Sequence, residues 1–236
     1  MISATFFSMW RIDSDLGDAD APYDRAAAVY DRLVRSRAYN RLAWSTSPDD
    51  YAEFAAAAIA SSDGPLLEVA AGSAAATAEL HGRARRPTTL VDLSRAMLER
   101  AGRRIQATRD DHQIVTAAPI RLVQADLLDL PFPAHGFTTV LGLGFTHLFD
   151  DLPAVVGALR RQLAPGGELY LAGLVTQTLR GNGYLRLLHR AGQVARAMTA
   201  ESLRGALGQP IRFGTIGCMA YATLPAGDDR SPTHTR

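Results

Sequence analysis

Between Pro65 and Thr77 the chain reads Pro-Leu-Leu-Glu-Val-Ala-Ala-Gly-Ser-Ala-Ala-Ala-Thr. Proline blocks a helix just upstream, a short apolar run follows, and the run ends in small residues that pass into an alanine-rich segment. This is the pattern of a buried strand, a tight turn and a helix N-terminus. Small residues let backbone approach a ligand closely, and the amides at a helix N-terminus suit an anionic group. Alone, the stretch also fits a plain strand-to-helix turn filled with alanine.

The rest of the chain repeats the theme. Twenty residues after Gly72, Thr89-Leu90-Val91-Asp92-Leu93-Ser94 is a second apolar run ending in a carboxylate. That spacing suits an acidic side chain at the tip of a second strand, reaching ribose hydroxyls. Leu122-Val123-Gln124-Ala125-Asp126-Leu127 ends a third run the same way, and Phe137 to Gly144 gives a fourth. Leu163-Ala164-Pro165-Gly166-Gly167 reads as a helix stop and a turn into a fifth strand, Glu168 to Leu174.

In this order the segments resemble the class I S-adenosylmethionine-dependent methyltransferase family, small-molecule type, from about Tyr23 to Tyr170. The resemblance implies an α/β fold: a doubly wound, mostly parallel seven-stranded sheet, Rossmann-like, preceded by a helical lid. It implies S-adenosylmethionine as cofactor and a small molecule as methyl acceptor. Ala70, Gly72, Ser73 and Ala74 would form the cofactor turn, with Glu68 near the ribose and methionine part. Asp126 would accept from the adenine amino group, as an exocyclic donor requires, and the Leu127 backbone would read the ring edge. Tyr30, in a Tyr-Asp pair, would lie near the methionine end. Leu93, Met97, Leu143 and Gly144 complete the expected cofactor contacts. Three positions depart from the family: Ala70 and Ala74 replace the first and third glycines of Gly-x-Gly-x-Gly, the first a frequent variant and the third a less usual one, and Thr138 stands where an Asp usually follows the Phe.

His147 leaves the fourth strand at its carboxyl end, the edge that faces the ligand crevice in such a sheet. It is the candidate proton acceptor, because histidine titrates near neutrality. A helix-capping role fits the same position.

Composition narrows the classes. The chain has 236 residues, 47% of them hydrophobic, and a net charge of +1, enough for one α/β domain with a full core. So small a net charge argues against a nucleic-acid partner. The clusters Arg83, Arg85, Arg86 and Arg100, Arg103, Arg104 read as solvated helix faces. One cysteine, Cys218, excludes an internal disulfide and a multi-cysteine metal site. Asp110, Asp111 and His112 read as solvated loop rather than metal ligands, so no metal is expected. No apolar run reaches the roughly 20 residues of a membrane span, and the expectation is a cytoplasmic protein. A homodimer is left open.

The expected divisions are a mobile leader over 1–21, a helical lid segment over 22–62, the methyltransferase domain over 63–225 and a disordered tail over 226–236. The lid would hold a helix from Tyr23 to Tyr39 and another from a Ser47 cap to Ala60. A loop over Thr176 to Gly183 would overhang the ligand edge, before a helix from Tyr184 to Met198. Trp44, Tyr184 and His189 are open between pocket-lining and packing roles. Two other readings stand beside methyl transfer. A dinucleotide-dependent oxidoreductase would want further glycines after Gly72, which are missing. A cofactor-binding relative turned to another reaction or to a protein partner remains compatible with the altered turn.

Overall fold

Leu66–Val69, buried along its whole length, is the strand on which the sheet is built. The computed structural model describes residues 12–14, 36–190, 194–208 and 210–227. Eight strands are seen: β1 (Ile12–Ser14), β2 (Leu66–Val69), β3 (Thr88–Asp92), β4 (Ile120–Gln124), β5 (Phe137–Leu143), β6 (Leu163–Leu174), β7 (Arg212–Ile216) and β8 (Met219–Pro225). Their order is β1-β4-β3-β2-β5-β6-β8-β7, with every pairing from β1 to β6 parallel and β8 antiparallel to both neighbours. The order reverses between β2 and β5, which opens a crevice at the carboxyl ends of those strands.

Among the described residues the sheet thus has eight strands rather than seven. The additional one, β1, comes from the segment read as a leader: Ile12, Asp13 and Ser14 pair in parallel with Leu122, Val123 and Gln124. Three residues carry too little periodicity to announce a strand. Tyr30, most of the expected first helix and the tail beyond Gly227 lie outside the described residues.

The helices are α1 (Arg37–Tyr39), continuing into a π-helical turn at Asn40–Trp44, α2 (Pro48–Ala60), α3 (Ala78–Arg83), α4 (Arg95–Asp111), α5 (Leu152–Gln162), α6 (Leu179–Arg190) and α7 (Ala200–Leu207). They cover both faces. Leu152, Val155, Val156 and Leu159 of α5, with Leu203 and Leu207 of α7, pack on Leu67, Val140, Leu169 and Leu171. On the other face Leu98, Ala101 and Ile105 of α4 meet Leu90 and Leu122, while Ala55 and Ala58 of α2 meet Leu141 and Tyr170. So α2 lies on a face of the sheet, and only its first turn reaches the carboxyl edge. Its start follows from sequence chemistry: Ser47 accepts from Asp49 N at 2.9 Å, and Asp50 accepts from Ser47 N at 2.7 Å, a reciprocal cap with Pro48 in the first turn.

Three boundaries moved. Helix α4 runs on to Asp111, into the stretch expected as loop. Helix α6 begins at Leu179, so the loop after β6 is shorter than expected. The Pro165-Gly166-Gly167 segment is a bulge within β6: Phe137 pairs with Leu163 and Thr139 with Glu168. Arg86 also departs from expectation. It is buried, donating to the carbonyls of Gly64, Ala58 and Ile59 and to the hydroxyls of Thr138 and Thr139. Two of those carbonyls belong to the last turn of α2, where the helix dipole favours a cation. Burial pushes the guanidinium below its usual range.

Candidate functional site

The turn after β2 is built from alternating left-handed residues: φ is 48° at Ala70, 53° at Gly72 and 50° at Ala74. For alanine this conformation costs roughly 1–2 kcal/mol. Part is offset, because the Ala74 methyl is only 1% exposed and packs with Leu90 and Leu98. A buried methyl is worth about 0.8 kcal/mol. Ala70 likewise packs against the core of the opposite face. Gly72 differs: a Cβ there would meet nothing within 4 Å, so the turn opens to empty space at this residue.

Two side chains fix the turn. Asp92, at the tip of β3, accepts from Gly72 N at 2.7 Å and from Ser94 N at 2.8 Å. Arg104 reaches back from α4 to the Ser73 carbonyl at 2.8 Å and to the Ser73 hydroxyl. That assigns Arg104 a structural task where a solvated face was expected. Ser94 caps α4 by accepting from Met97 N at 3.2 Å, leaving Met97 buried and Leu93 exposed beside the crevice.

Glu68 is placed behind the turn rather than in the crevice. It is buried, accepts from Thr77 Oγ1 at 3.0 Å and pairs with His81 Nε2. The reason is alternation: the side chain of Glu68 takes the α3 face of β2, where Thr77 and His81 descend to meet it. His81 was not singled out from sequence, and its Nδ1 makes no hydrogen bond among the described residues.

Asp126 is exposed after β4, and its Oδ1 accepts from Leu128 N at 2.9 Å, while Leu127 is buried. Leu143 and Gly144 stand at the end of β5. Gly144 has φ 72°, and a Cβ there would lie 3.5 Å from Tyr51 Oη. Tyr51, in the first turn of α2, thereby joins the edge. In sequence Tyr51 is one of several apolar positions at helical spacing, with Phe54, Ala55, Ala58 and Ile59.

His147 follows on a 3₁₀ turn, Thr146–Leu148. It is buried, and burial pushes its imidazole down to about 4. Its Nδ1 has no hydrogen-bond partner among the described residues, and its carbonyl accepts from Ala195 N at 3.0 Å. At neutral pH the ring is therefore uncharged and a much weaker base than a free histidine. Trp44 is packed with Leu185, Val194 and Cys218. Tyr184 hydrogen-bonds Tyr39, hydroxyl to hydroxyl, at 3.1 Å. His189 Nδ1 lies 2.8 Å from the Val194 carbonyl. These three close the α1–α6 contact.

The crevice thus offers an open small-residue turn, a carboxylate at one strand tip, a second carboxylate at the next, and an aromatic ring over Gly144. Such a set fits a nucleoside-bearing cofactor: the opening at Gly72 admits its backbone-close part, and two carboxylates accept from hydroxyl and amino donors.

The family model described as a methyltransferase domain matches residues 67–171. Over 86 residues the chain is 37% identical to carboxy-S-adenosyl-L-methionine synthase of Pseudomonas entomophila, covering 35% of this chain and 32% of that protein. It is 34% identical over 115 residues to malonyl-[acyl-carrier protein] O-methyltransferase of Halorhodospira halophila, covering 48% and 36%. The chain spans about a third of the length of these curated relatives. A solved SAM-dependent methyltransferase from Thermotoga maritima superposes with a TM-score of 0.61 at 16% identity, over 87% of this chain and 98% of that one. The fold is the Rossmann-like methyltransferase fold.

Proposed function

We propose that this chain, a methyltransferase domain over its central residues, binds S-adenosylmethionine in the crevice and transfers the methyl group to a small-molecule acceptor. The observation that carries the reading is the turn Ala70–Ala74, held open at Gly72 and pinned by Asp92. The relatives named above, each termed a methyltransferase or a synthase of an S-adenosylmethionine derivative, support it.

When bound, the cofactor supplies a methyl group on a sulfonium sulfur, so the chain need not create an electrophile. Its residues bind and orient. Asp92 would accept from ribose hydroxyls, and Asp126 would accept from the adenine amine. Gly72 and Gly144 let backbone approach closely, and Tyr51 and Leu143 screen water from the edge. Much of the rate would come from holding the acceptor in line, an effect worth up to roughly 7–11 kcal/mol in well-oriented systems. His147 is held neutral by burial, and its role is then to place an acceptor or the turn itself rather than to take up a proton at neutral pH. Acceptors that lose a proton easily, or none, suit such a site best. The small net charge agrees with a small molecule rather than a nucleic acid as acceptor. Among the described residues no helix is long and apolar enough to cross a membrane, and a cytoplasmic location is part of the reading.

A second reading rests on Ala74 and on the synthase relative: the cofactor is bound but used in another reaction. Calorimetric titration with S-adenosylmethionine, S-adenosylhomocysteine and NADPH, followed by mass spectrometry of acceptor mixtures incubated with methyl-labelled cofactor, separates the two. Binding of the first two ligands with label transfer supports methylation. Binding without transfer supports the second reading. Binding of NADPH alone overturns both.

A further inference from the structure

A cavity of about 860 Å³ lies on a face of the sheet rather than along its carboxyl edge. One wall is α2, through Glu53, Phe54 and Ala57, and the floor is β6, β8 and β7. The floor follows from register. Tyr170, Thr223 and Arg212 are cross-strand neighbours, and Tyr221 and Gly214 pair in the next row, so all five share one face. That face is opposite the one covered by α5 and α7, whose partners are Leu169, Leu171, Ala222 and Leu224. Helix α2 reaches only as far as Tyr170 and Tyr221. Beyond them, small residues at Ala57 and Gly214 leave a trough.

The walls are chemically specific. Phe54 packs edge-on to Tyr170 at 5.7 Å between ring centres and against Tyr221 at 5.0 Å, giving a rigid aromatic floor. Tyr221 is 9% exposed, and its hydroxyl makes no hydrogen bond among the described residues. Two carboxylates are already engaged: Asp50 caps α2 and also accepts from Thr46 Oγ1 at 2.8 Å, and Glu168 accepts from Tyr170 Oη at 2.6 Å. None of the four charged side chains at the trough, Asp50, Glu53, Glu168 and Arg212, forms an ion pair among the described residues; Glu53 on the helix wall and Arg212 on the strand wall are the exposed pair of opposite sign. They have opposite signs and stand on opposite walls of a concave, aromatic-floored site, whose volume falls in the roughly 300–1,000 Å³ range of small-molecule pockets.

We propose that this trough is a second ligand site, for a zwitterionic small molecule with an aromatic or apolar body. The carboxylate of such a ligand meets Arg212, its ammonium meets Glu53, and its body lies on Tyr170, Tyr221 and Phe54. A ligand with one charge leaves the opposite wall unmatched and binds more weakly. The site is independent of the cofactor reading, because none of its lining residues belongs to the Gly72 turn or to the ends of β3, β4 and β5.

The test uses the full chain and three probes of one shape: L-phenylalanine, phenethylamine and 3-phenylpropionate. Each is titrated by calorimetry with and without saturating S-adenosylhomocysteine. L-Phenylalanine is expected to bind about two- to fivefold more tightly than either single-charge probe, as one matched exposed charge pair provides. Its affinity is expected to be unchanged by the nucleoside. Arg212→Gln should reduce L-phenylalanine to the level of phenethylamine and leave phenethylamine unchanged; Glu53→Gln should do the converse with 3-phenylpropionate. Both residues are exposed, so melting curves of the variants should match the parent. Equal affinity for all three probes, no saturable binding, displacement by S-adenosylhomocysteine, or indifference to both substitutions would each overturn the proposal.

Discussion

Gly72 and Asp92 are joined across the crevice: the glycine N–H donates to Oδ2 at 2.7 Å while the other oxygen takes the N–H of Ser94 at 2.8 Å. One carboxylate therefore ties the turn after β2 to the start of α4. Asp92→Ala leaves two backbone donors without their acceptor, which should lower stability by about 2 kcal/mol. It should also weaken S-adenosylmethionine binding by about tenfold or more, since a charged acceptor is lost. Urea denaturation and calorimetry read the two effects separately. Loss of stability with unchanged affinity would remove the ribose assignment.

Gly72 and Ala74 share a conformation but not a neighbourhood. Gly72→Ala adds about 1–2 kcal/mol of backbone strain and no internal clash. Its methyl fills the opening, so cofactor affinity should collapse while the fold survives. Ala74→Gly relieves similar strain but gives up a buried methyl worth about 0.8 kcal/mol and loosens the unfolded chain by about 0.4–1 kcal/mol. Its melting midpoint and affinity should both stay near the parent values. A large gain in affinity from Ala74→Gly would show that the strained turn limits binding.

Glu68 is expected to act through the turn and not on the ligand. Glu68→Ala removes the partner of both Thr77 and His81 in a buried site and should cost about 2–4 kcal/mol. Glu68→Gln keeps an acceptor and should recover most of that loss together with cofactor affinity. Recovery by glutamine, followed by chemical denaturation and ligand titration, distinguishes a positioning role from direct contact, in which the lost charge would still weaken binding.

His147 gives a pH dependence with a definite sign. Burial holds its imidazole near 4, against about 6.5 for a free side chain. Between those values the unfolded chain binds the extra proton, so stability is full above about pH 6.5 and falls as pH drops toward 4. The slope approaches about 1.4 kcal/mol per pH unit. Replacing His147 with Asn should flatten the difference in melting temperature between pH 7 and pH 4.5. An identical slope in the variant would refute the buried neutral ring.

Arg86 holds α2 against the sheet by five hydrogen bonds from one guanidinium. Arg86→Met leaves three carbonyls and two hydroxyls without that donor and should destabilise by about 3 kcal/mol or more. Arg86→Lys, with three donors, should fall between. Thermal melts monitored by circular dichroism check the order.

How legible all this was in the sequence follows from the range of each interaction. Strands β2 to β6 were visible because fully buried parallel strands are short apolar runs bounded by turn residues. The Ser47 cap was visible because it is settled within four residues. Asp92 was visible from its distance to Gly72. What escaped depends on partners far along the chain. Strand β1 takes its backbone pairing from β4, more than a hundred residues on. Arg86 reads as one of three neighbouring arginines until Thr138 and Thr139 fold over it. His81 is unremarkable until Glu68 turns towards it. Tyr51 becomes an edge residue only because α2 ends its first turn beside Gly144.

Strand β8 enters the sheet against the direction of its neighbours and pairs with β6 over seven residues, while its first turn hangs on Trp44 through the bond from Cys218 N to the Trp44 carbonyl at 2.7 Å. The stretch that carries the cofactor signature is therefore fastened at both sides by segments outside it. A fragment trimmed to that signature would bare the long rim of β6 and invite pairing between copies. Any assay of this chain's chemistry needs the flanking segments in place, since they keep that rim occupied.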